Sequence, residues 1–353
     1  MKGHIYSLDA IRGIGACTIA FLWHYQHFTP NSGYPFGNIL KIPYSYGWLF
    51  VEAFFMLSGF GIAYGYRDKL LNKSIGLKRF FCMRIKKLYP LFFITLIITT
   101  ILELICVKYT GSTFQYSNFD FYHFILNLLC IQSGWIENSF SFNAPSWCVS
   151  VLLFCYIIYY IITRNDKIIY IISCIGASAT GIIAFLLEWD YPFLGKDFMA
   201  RGLVCFFIGV LLYEIYNFLT EKNMHILGYI SILLVTLIIL ETFINNVNNG
   251  KNFQLLCMLT IFPFFILSAL SLKALKKLLE FKPLIFLGKC SFSIYLWHYP
   301  IQCIMNLLSL RFNFDYSNYS IFFLYICMTL ICSFLSYFYI ECKLSRLWNK
   351  IMR

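Results

Sequence analysis

Apolar and polar stretches alternate along the chain in a pattern that predicts membrane-spanning helices. About ten apolar runs reach the ~20 residues that a helix needs to cross a hydrocarbon core of ~30 Å. They lie at residues 11–29, 47–66, 88–107, 145–163, 168–187, 199–217, 225–244, 253–272, 288–309 and 318–341. The pattern therefore predicts an all-α integral membrane protein with about ten transmembrane helices.

Basic residues between the runs predict how the helices cross the membrane. The stretch 67–87 carries eight lysines and arginines, whereas 30–46 carries only Lys41. Further basic residues that fall on the same side as 67–87 are Arg164, Lys167, Lys222, Lys273, Lys276, Lys277, Lys282, Lys343, Arg346, Lys350 and Arg353. Because cytoplasmic loops are enriched in lysine and arginine, both termini are predicted to be cytoplasmic.

One apolar segment does not fit the series of spans. Residues 120–133 are too short to cross the membrane, and a crossing here would invert the charge pattern of every later loop. We therefore predict a re-entrant or interfacial helix within an outer loop at 108–144. The chain has no linker, low-complexity tract or internal repeat, so residues 1–353 are expected to form a single membrane domain.

Composition excludes an ordinary soluble domain. Hydrophobic residues make up 60% of the chain and charged residues only 12%. The net charge of +12 comes from clusters between apolar runs, which indicates contact with a lipid bilayer and not with nucleic acid. The 14 cysteines are scattered singly, without a CxxC pair or zinc-type spacing, so we expect no metal site.

The first run carries ionisable side chains that are costly inside lipid. Arg12 lies near its start, and His24 and His27 lie near its end. In one continuous helix, the twelve steps from Arg12 to His24 would cover roughly 18 Å. Charged residues in a membrane span usually face a bundle interior or a water-filled cavity, so this run is a candidate functional site.

Five sequence landmarks together resemble those of the acyltransferase 3 family. They are SLDAIRG followed by WH, FFMLSGF at 54–60, RIKKLYP at 84–90, PSWCVSV at 145–151 and YLWHYP at 295–300. The resemblance covers essentially the whole chain. It implies a multi-pass O-acyltransferase of the cell membrane (plasma or inner), with acyl-CoA, most often acetyl-CoA, as donor. The implied acceptor is a cell-surface or lipid-linked glycan.

The resemblance also implies roles for individual residues. His24 corresponds to the histidine regarded as catalytic and Arg12 to the arginine regarded as essential, while Arg84 and Lys87 correspond to the family's basic pair. Eleven residues separate Arg12 from His24 instead of the usual ten. On an ideal helix the two would be ~120° apart, unless a bulge takes up the extra residue. Leu152 stands where the family commonly has a glutamate.

The chemistry of acyl transfer suits these residue types. A base must take the proton of the acceptor hydroxyl, and histidine is suited to that role near neutral pH. His24 is the candidate base, and the alternative is an interfacial histidine bonded to a loop. His298, in the middle of a span, is either a second polar group of the site or a structural hydrogen-bonding residue.

The basic candidates each have two interpretations. Arg12 either anchors the helix by the positive-inside rule or contacts CoA, and the adjacent Gly13 and Gly15 allow close approach of backbone. Arg84 and Lys87 set the topology, hold the CoA phosphates, or do both. In the second case acyl-CoA enters from the cytoplasm, and its extended pantetheine arm carries the thioester toward His24.

Two intramembrane acids and one small-residue motif complete the candidates. Glu52 either orients His24, as an acid orients a catalytic base, or forms a salt bridge with Arg201. Glu103 has no partner that the sequence identifies. Ser58 and Gly59 carry no titratable group, so this motif is expected to allow a helix break or a close helix contact.

Two other classes of protein share parts of this pattern. A transporter or flippase for glycans or lipids also has many spans with buried charge, although an inverted repeat would be expected. A non-catalytic subunit of an envelope assembly would need no base. Turnover of a thioester by the purified protein distinguishes an enzyme from both.

Overall fold

The regular structure of the chain is helical throughout the residues described. The structure is a computed structural model that describes residues 3–30, 32–137, 139–189, 196–219, 221–244 and 250–343. The α-helices are α1 (Tyr6–Thr18), α2 (Lys41–Tyr46), α3 (Phe50–Leu71), α4 (Leu77–Thr110), α5 (Phe121–Leu128), α6 (Trp147–Ile162), α7 (Lys167–Leu186), α8 (Lys196–Phe218), α9 (Glu221–Ile244), α10 (Lys251–Leu256), α11 (Phe262–Ser271), α12 (Lys273–Leu279), α13 (Lys282–Lys289), α14 (Ser291–Phe312) and α15 (Tyr319–Ser336). Wider, π-helical turns span Ile19–Trp23, Cys257–Ile261 and Tyr337–Cys342, and tighter 3₁₀ turns span His24–Phe28, Gly47–Leu49 and Ala144–Ser146.

Among the described residues, eight helical stretches are long and apolar enough to cross a membrane. They are Lys41–Leu71, Leu77–Thr110, Ala144–Ile162, Lys167–Leu186, Phe198–Phe218, Asn223–Glu241, Lys251–Ser271 and Tyr319–Cys342. Each overlaps one of the ten runs predicted from the sequence. The protein is therefore an all-helical, multi-pass membrane protein.

The two remaining predicted runs are helical as well. The run at 288–309 corresponds to α14, a continuous helix of 22 residues with Pro300 inside it. The run at 11–29 begins as α1 and then changes to a π-helical turn and a 3₁₀ turn. The change in helix type falls on the part of the run that carries its histidines.

The helix α4 is much longer than the span predicted at 88–107. Its 34 residues extend over about 50 Å at ~1.5 Å per residue, which exceeds a hydrocarbon core of ~30 Å. Its first turns carry Lys78, Arg79, Arg84 and Lys87 from the basic stretch. The predicted loop at 67–87 is therefore helical over its second half.

The contacts between helices group the chain into two units, which we describe separately. One consists of Met1–Gly15, Leu49–Gly76 and Leu152–Gly288, and the other of Ala16–Trp48, Leu77–Val151 and Lys289–Arg353. That the whole chain acts as a single domain stays a prediction. The C-terminal basic residues used to orient the chain (Arg346, Lys350 and Arg353) lie outside the described residues.

In the first unit, α8 packs against α3 and α7. Two glycines allow the backbones of α3 and α8 to touch. A Cβ added at Gly59 would lie 1.9 Å from the carbonyl oxygen of Phe206, and one added at Gly209 would lie 2.0 Å from that of Met56. The motif around Gly59 thus provides a close helix contact, one of the two alternatives expected from its sequence.

In the second unit, α14 packs against α4, α15 and the π-helical turn Ile19–Trp23. Pro300 has no N–H, so the carbonyl of Leu296, four residues earlier, cannot make its helical hydrogen bond. The side-chain amide of Asn143 donates to that carbonyl at 3.0 Å. This bond fixes the segment before α6 to α14, two residues before His298.

The predicted outer segment contains the short helix α5. The Asp120 side chain caps α5 by accepting from the N–H of His123 at 2.9 Å. This bond and the bond from the imidazole of His123 lower the pKa of Asp120 below its ordinary value. His123 also lies 3.2 Å from Glu137, so this histidine joins two acids within the segment.

Candidate active site

The turn that leads to His24 departs from α-helical geometry. The N–H of His24 donates to the carbonyl of Ile19, five residues back. A π-helical turn holds one residue more than an α-helical turn, so it takes up the extra residue in the run that begins at Arg12. The hydroxyl of Tyr325 donates to the carbonyl of Ala20 at 2.8 Å and stabilises this turn from α15.

Two histidines that are far apart in sequence form a hydrogen-bonded pair. Nδ1 of His24 lies 2.7 Å from Nε2 of His298, and the ring centroids are 4.7 Å apart with nearly parallel planes. His298 is fully buried, whereas His24 is half-buried. The structure thus brings together the two histidines that the sequence singled out, although any catalytic role for them stays a prediction.

The contact between the two rings links their protonation. Nδ1 of His298 is buried and has no hydrogen-bond partner among the described residues. Of the two facing nitrogens, Nδ1 of His24 and Nε2 of His298, one donates and the other accepts. In the tautomer in which His24 donates from Nδ1, its Nε2 carries a lone pair. A half-buried imidazole with a free lone pair is suited to general-base chemistry.

A third histidine, His27, extends the stack. Its ring centroid lies 4.9 Å from that of His24. Its Nδ1 lies 2.9 Å from Oε1 of Gln302, and its Nε2 lies 3.5 Å from the hydroxyl of Tyr116. The sequence reasoning missed Gln302 and Tyr116. One available signal was that Gln302 follows His298 by four residues and so shares its helix face.

Glu103 is a buried acid that bonds Tyr299, the residue after His298. It accepts from the hydroxyl of Tyr299 at 2.7 Å and from the N–H of Phe114 at 2.9 Å. These bonds fix the start of the segment 108–144 to α14 beside His298. Among the described residues, no group of three or more His, Cys, Asp or Glu side chains could hold a metal ion.

Comparison with known proteins decides the family. The chain matches the acyltransferase 3 family, described as an acyltransferase domain, over residues 5–338. The chain belongs to the acyltransferase 3 family. Curated relatives named "Putative O-acetyltransferase" occur in Staphylococcus aureus strains COL, MSSA476 and MRSA252. Each is 26% identical over 341 residues, which cover 84% of this chain and 52% of the relative.

The chain therefore spans about half the length of the curated relatives it matches. No solved structure matches the chain significantly.

Arg12, the arginine singled out from the sequence, lies in the first unit. Its guanidinium donates to Asp9 at 3.2 Å and to the carbonyl of Leu57 in α3 at 2.8 Å. A Cβ added at Gly61 would lie 3.3 Å from this guanidinium, so a small residue is suited there. These bonds hold Arg12 firmly, and its contact with a donor stays a prediction.

The basic pair singled out from the sequence lies on the first half of α4, in the second unit. Arg84 and Lys87 are three residues apart, so they lie on one side of the helix, one turn from each other. Arg84 is half-buried and Lys87 is exposed. This placement is compatible with both interpretations of the pair, topology and phosphate binding.

Glu52 forms the salt bridge that was one of its two expected alternatives. Its carboxylate lies 2.7 Å from Nε of Arg201 and accepts from Nε2 of Gln254 at 2.9 Å. The nitrogen partner of His24 is instead His298. Leu152, where the resemblance implied a glutamate, is buried in α6.

Proposed function

We propose that the protein transfers an acyl group, in the first place acetyl, from acyl-CoA to a hydroxyl group of a cell-surface or lipid-linked glycan. His24 is the general base in this proposal. The supporting observation is the hydrogen bond between His24 and His298 in a chain of the acyltransferase 3 family. The "O-acetyltransferase" in the names of the curated relatives favours acetyl as the group transferred.

The proposed reaction needs one proton to move twice. Nε2 of His24 takes the proton of the acceptor hydroxyl, and the oxygen attacks the carbonyl carbon of the thioester. The tetrahedral intermediate collapses, the C–S bond breaks, and the CoA thiolate takes the proton back from His24. While His24 is an imidazolium, its Nδ1–H donates to His298, which keeps the ring oriented and stabilises the charge.

His298 takes the place that an acid has in a catalytic triad. A neutral imidazole accepts a hydrogen bond without adding a second buried charge. This arrangement fits a site inside a membrane protein, where an uncompensated carboxylate is costly.

The function is tested with purified protein in detergent or proteoliposomes, supplied with acetyl-CoA and a glycan fragment. We expect release of free CoA that depends on the acceptor, together with a glycan product heavier by one acetyl group. The readouts are a thiol assay and mass spectrometry of the glycan. A transporter would move the glycan without releasing CoA, and a non-catalytic subunit would do neither, so either result contradicts the proposal.

Arg84 and Lys87 are proposed to bind the phosphates of the donor. The double change Arg84→Ala and Lys87→Ala should raise the Michaelis constant for acyl-CoA by about tenfold or more, because each charge-assisted bond contributes ~1.5–3 kcal/mol. The constant for the acceptor should stay nearly unchanged. The measurement is initial rate against acyl-CoA concentration.

Lys78→Ala with Arg79→Ala is the matched control for this prediction. It removes two positive charges from the exposed first turn of the same helix. If both double variants raised the Michaelis constant for acyl-CoA equally, the charges would act through topology or general electrostatics and not through donor binding.

A further inference from the structure

Gln302 is a buried amide whose polar atoms all have partners in or beside the histidine turn. Its Nε2 donates to the main-chain carbonyl of His24 at 2.7 Å and to the hydroxyl of Tyr325 at 3.3 Å. Its Oε1 lies 2.9 Å from Nδ1 of His27. The side chain is 0% exposed, so no water competes for these bonds.

The partners allow one orientation of this amide. The carbonyl of His24 only accepts, so the NH₂ group of Gln302 must face it, and Oε1 must face His27. Since Oε1 only accepts, Nδ1 of His27 carries the proton and Nε2 does not. Rotating the amide by half a turn would place two oxygens against each other and leave Nδ1 of His27 without an acceptor.

The same contacts connect the backbone that carries His24 with the π-helical turn before it. The hydroxyl of Tyr325 accepts from Gln302 and donates to the carbonyl of Ala20. One side chain on α14 therefore holds the turn on both sides of His24. Gln302 lies one helical turn after His298, so the two partners of the histidine turn project from one face of a single helix.

We propose that Gln302 is a positioning residue, which holds the His24 backbone and fixes His27 in the tautomer with an unprotonated Nε2. The proposal rests on the proposed function only in assigning the base to His24. The expected cost of losing this hold follows from geometry, because displacing a catalytic group by about 1 Å can cost on the order of 100-fold in rate.

The activity test uses the full chain with Gln302→Met, which keeps the length of the side chain and removes every hydrogen bond. We expect kcat to fall roughly 10- to 100-fold with little change in KM for acyl-CoA. Gln115→Met is the matched control. The Gln115 amide also bonds the histidine turn, donating to the carbonyl of His27 at 2.8 Å, but it is exposed and touches no ring nitrogen. Its loss should change kcat by less than about threefold.

A spectroscopic test does not depend on activity. The chain has only six histidines, so ¹⁵N-histidine labelling gives few imidazole signals, and a His27→Gln variant assigns those of His27. We expect His27 of the unchanged protein to show a protonated Nδ1 and an unprotonated Nε2. In Gln302→Met this preference should be lost.

Two results overturn the proposal. One is a wild-type His27 protonated at Nε2, and the other is a Gln302→Met protein with wild-type kcat. If Gln302→Met does not fold, Gln302→Leu replaces it: an apolar side chain cannot donate to the His24 carbonyl, so an unchanged kcat would equally contradict the positioning role. A His24→Ala protein that stays active would instead refute the proposed base, whatever the His27 tautomer is.

Discussion

Replacing His24 with alanine is expected to abolish acyl transfer while the protein stays folded in the membrane. Nε2 of His24 is the proposed acceptor of the hydroxyl proton, and loss of a general base typically costs ~100- to 10,000-fold in rate. The side chain is half-buried and makes one side-chain hydrogen bond, to His298, so the fold should tolerate its removal. The measurement is acceptor-dependent CoA release by purified, monodisperse protein.

His123→Ala is the control for this change. It also removes a histidine from the second unit, but one that bonds Asp120 and Glu137 in the segment 108–144. Its turnover should stay within about threefold of the unchanged protein, since surface ion pairs contribute little. Near-normal turnover in His24→Ala would exclude His24 as the base.

Gly59→Ala is expected to prevent normal folding. The added methyl group would lie 1.9 Å from the carbonyl oxygen of Phe206, and both partners belong to helix backbone. Relief therefore requires α3 and α8 to move apart, not a side chain to rotate. The destabilisation should exceed the ~1–3 kcal/mol typical of an overpacked core. The measurement is the yield of monodisperse protein and its Tm in detergent.

Gly65→Ala provides a matched comparison in the same helix. A Cβ at Gly65 would meet nothing within 4 Å. Alanine is favoured over glycine in helices by roughly 0.5–1 kcal/mol, so this variant should be as stable as the original or slightly more stable. If both alanine variants have the same Tm, the close contact between α3 and α8 is not formed.

The fold was largely predictable because a membrane-spanning helix can be recognised from a short, continuous stretch of sequence. A run of ~20 apolar residues has few alternatives to a helix in lipid, and eight predicted runs overlap the apolar helices of the structure. The length of α4 was less accessible, because basic residues were taken as evidence of a loop. Lysine and arginine are good helix formers, so charge alone could not show where the helix begins.

The site was only partly predictable, since its contacts join residues distant in the chain. His24 and His298 are each conspicuous as histidines in apolar runs, but their pairing across 274 residues depends on how α14 packs. Gln302 is an uncharged amide, and its signal was the weaker one of its spacing four residues after His298. For Glu52 the two alternative partners were His24 and Arg201. The local sequence could not indicate which of them lies within bonding distance, and the structure shows Arg201.

Pro300 makes the order of synthesis matter for this molecule. Its missing N–H leaves the Leu296 carbonyl open unless Asn143, made 153 residues earlier, is already in place to donate to it. The carbonyls of Ala20 and His24 gain their hydrogen-bond donors only after Tyr325 and Gln302 have been synthesised. Until the second half of α14 and α15 have been made, the carbonyls of Ala20 and His24 lack these partners, and an unsatisfied carbonyl in lipid costs several kcal/mol. A chain truncated before Gln302 is therefore expected to lack the native turn at His24.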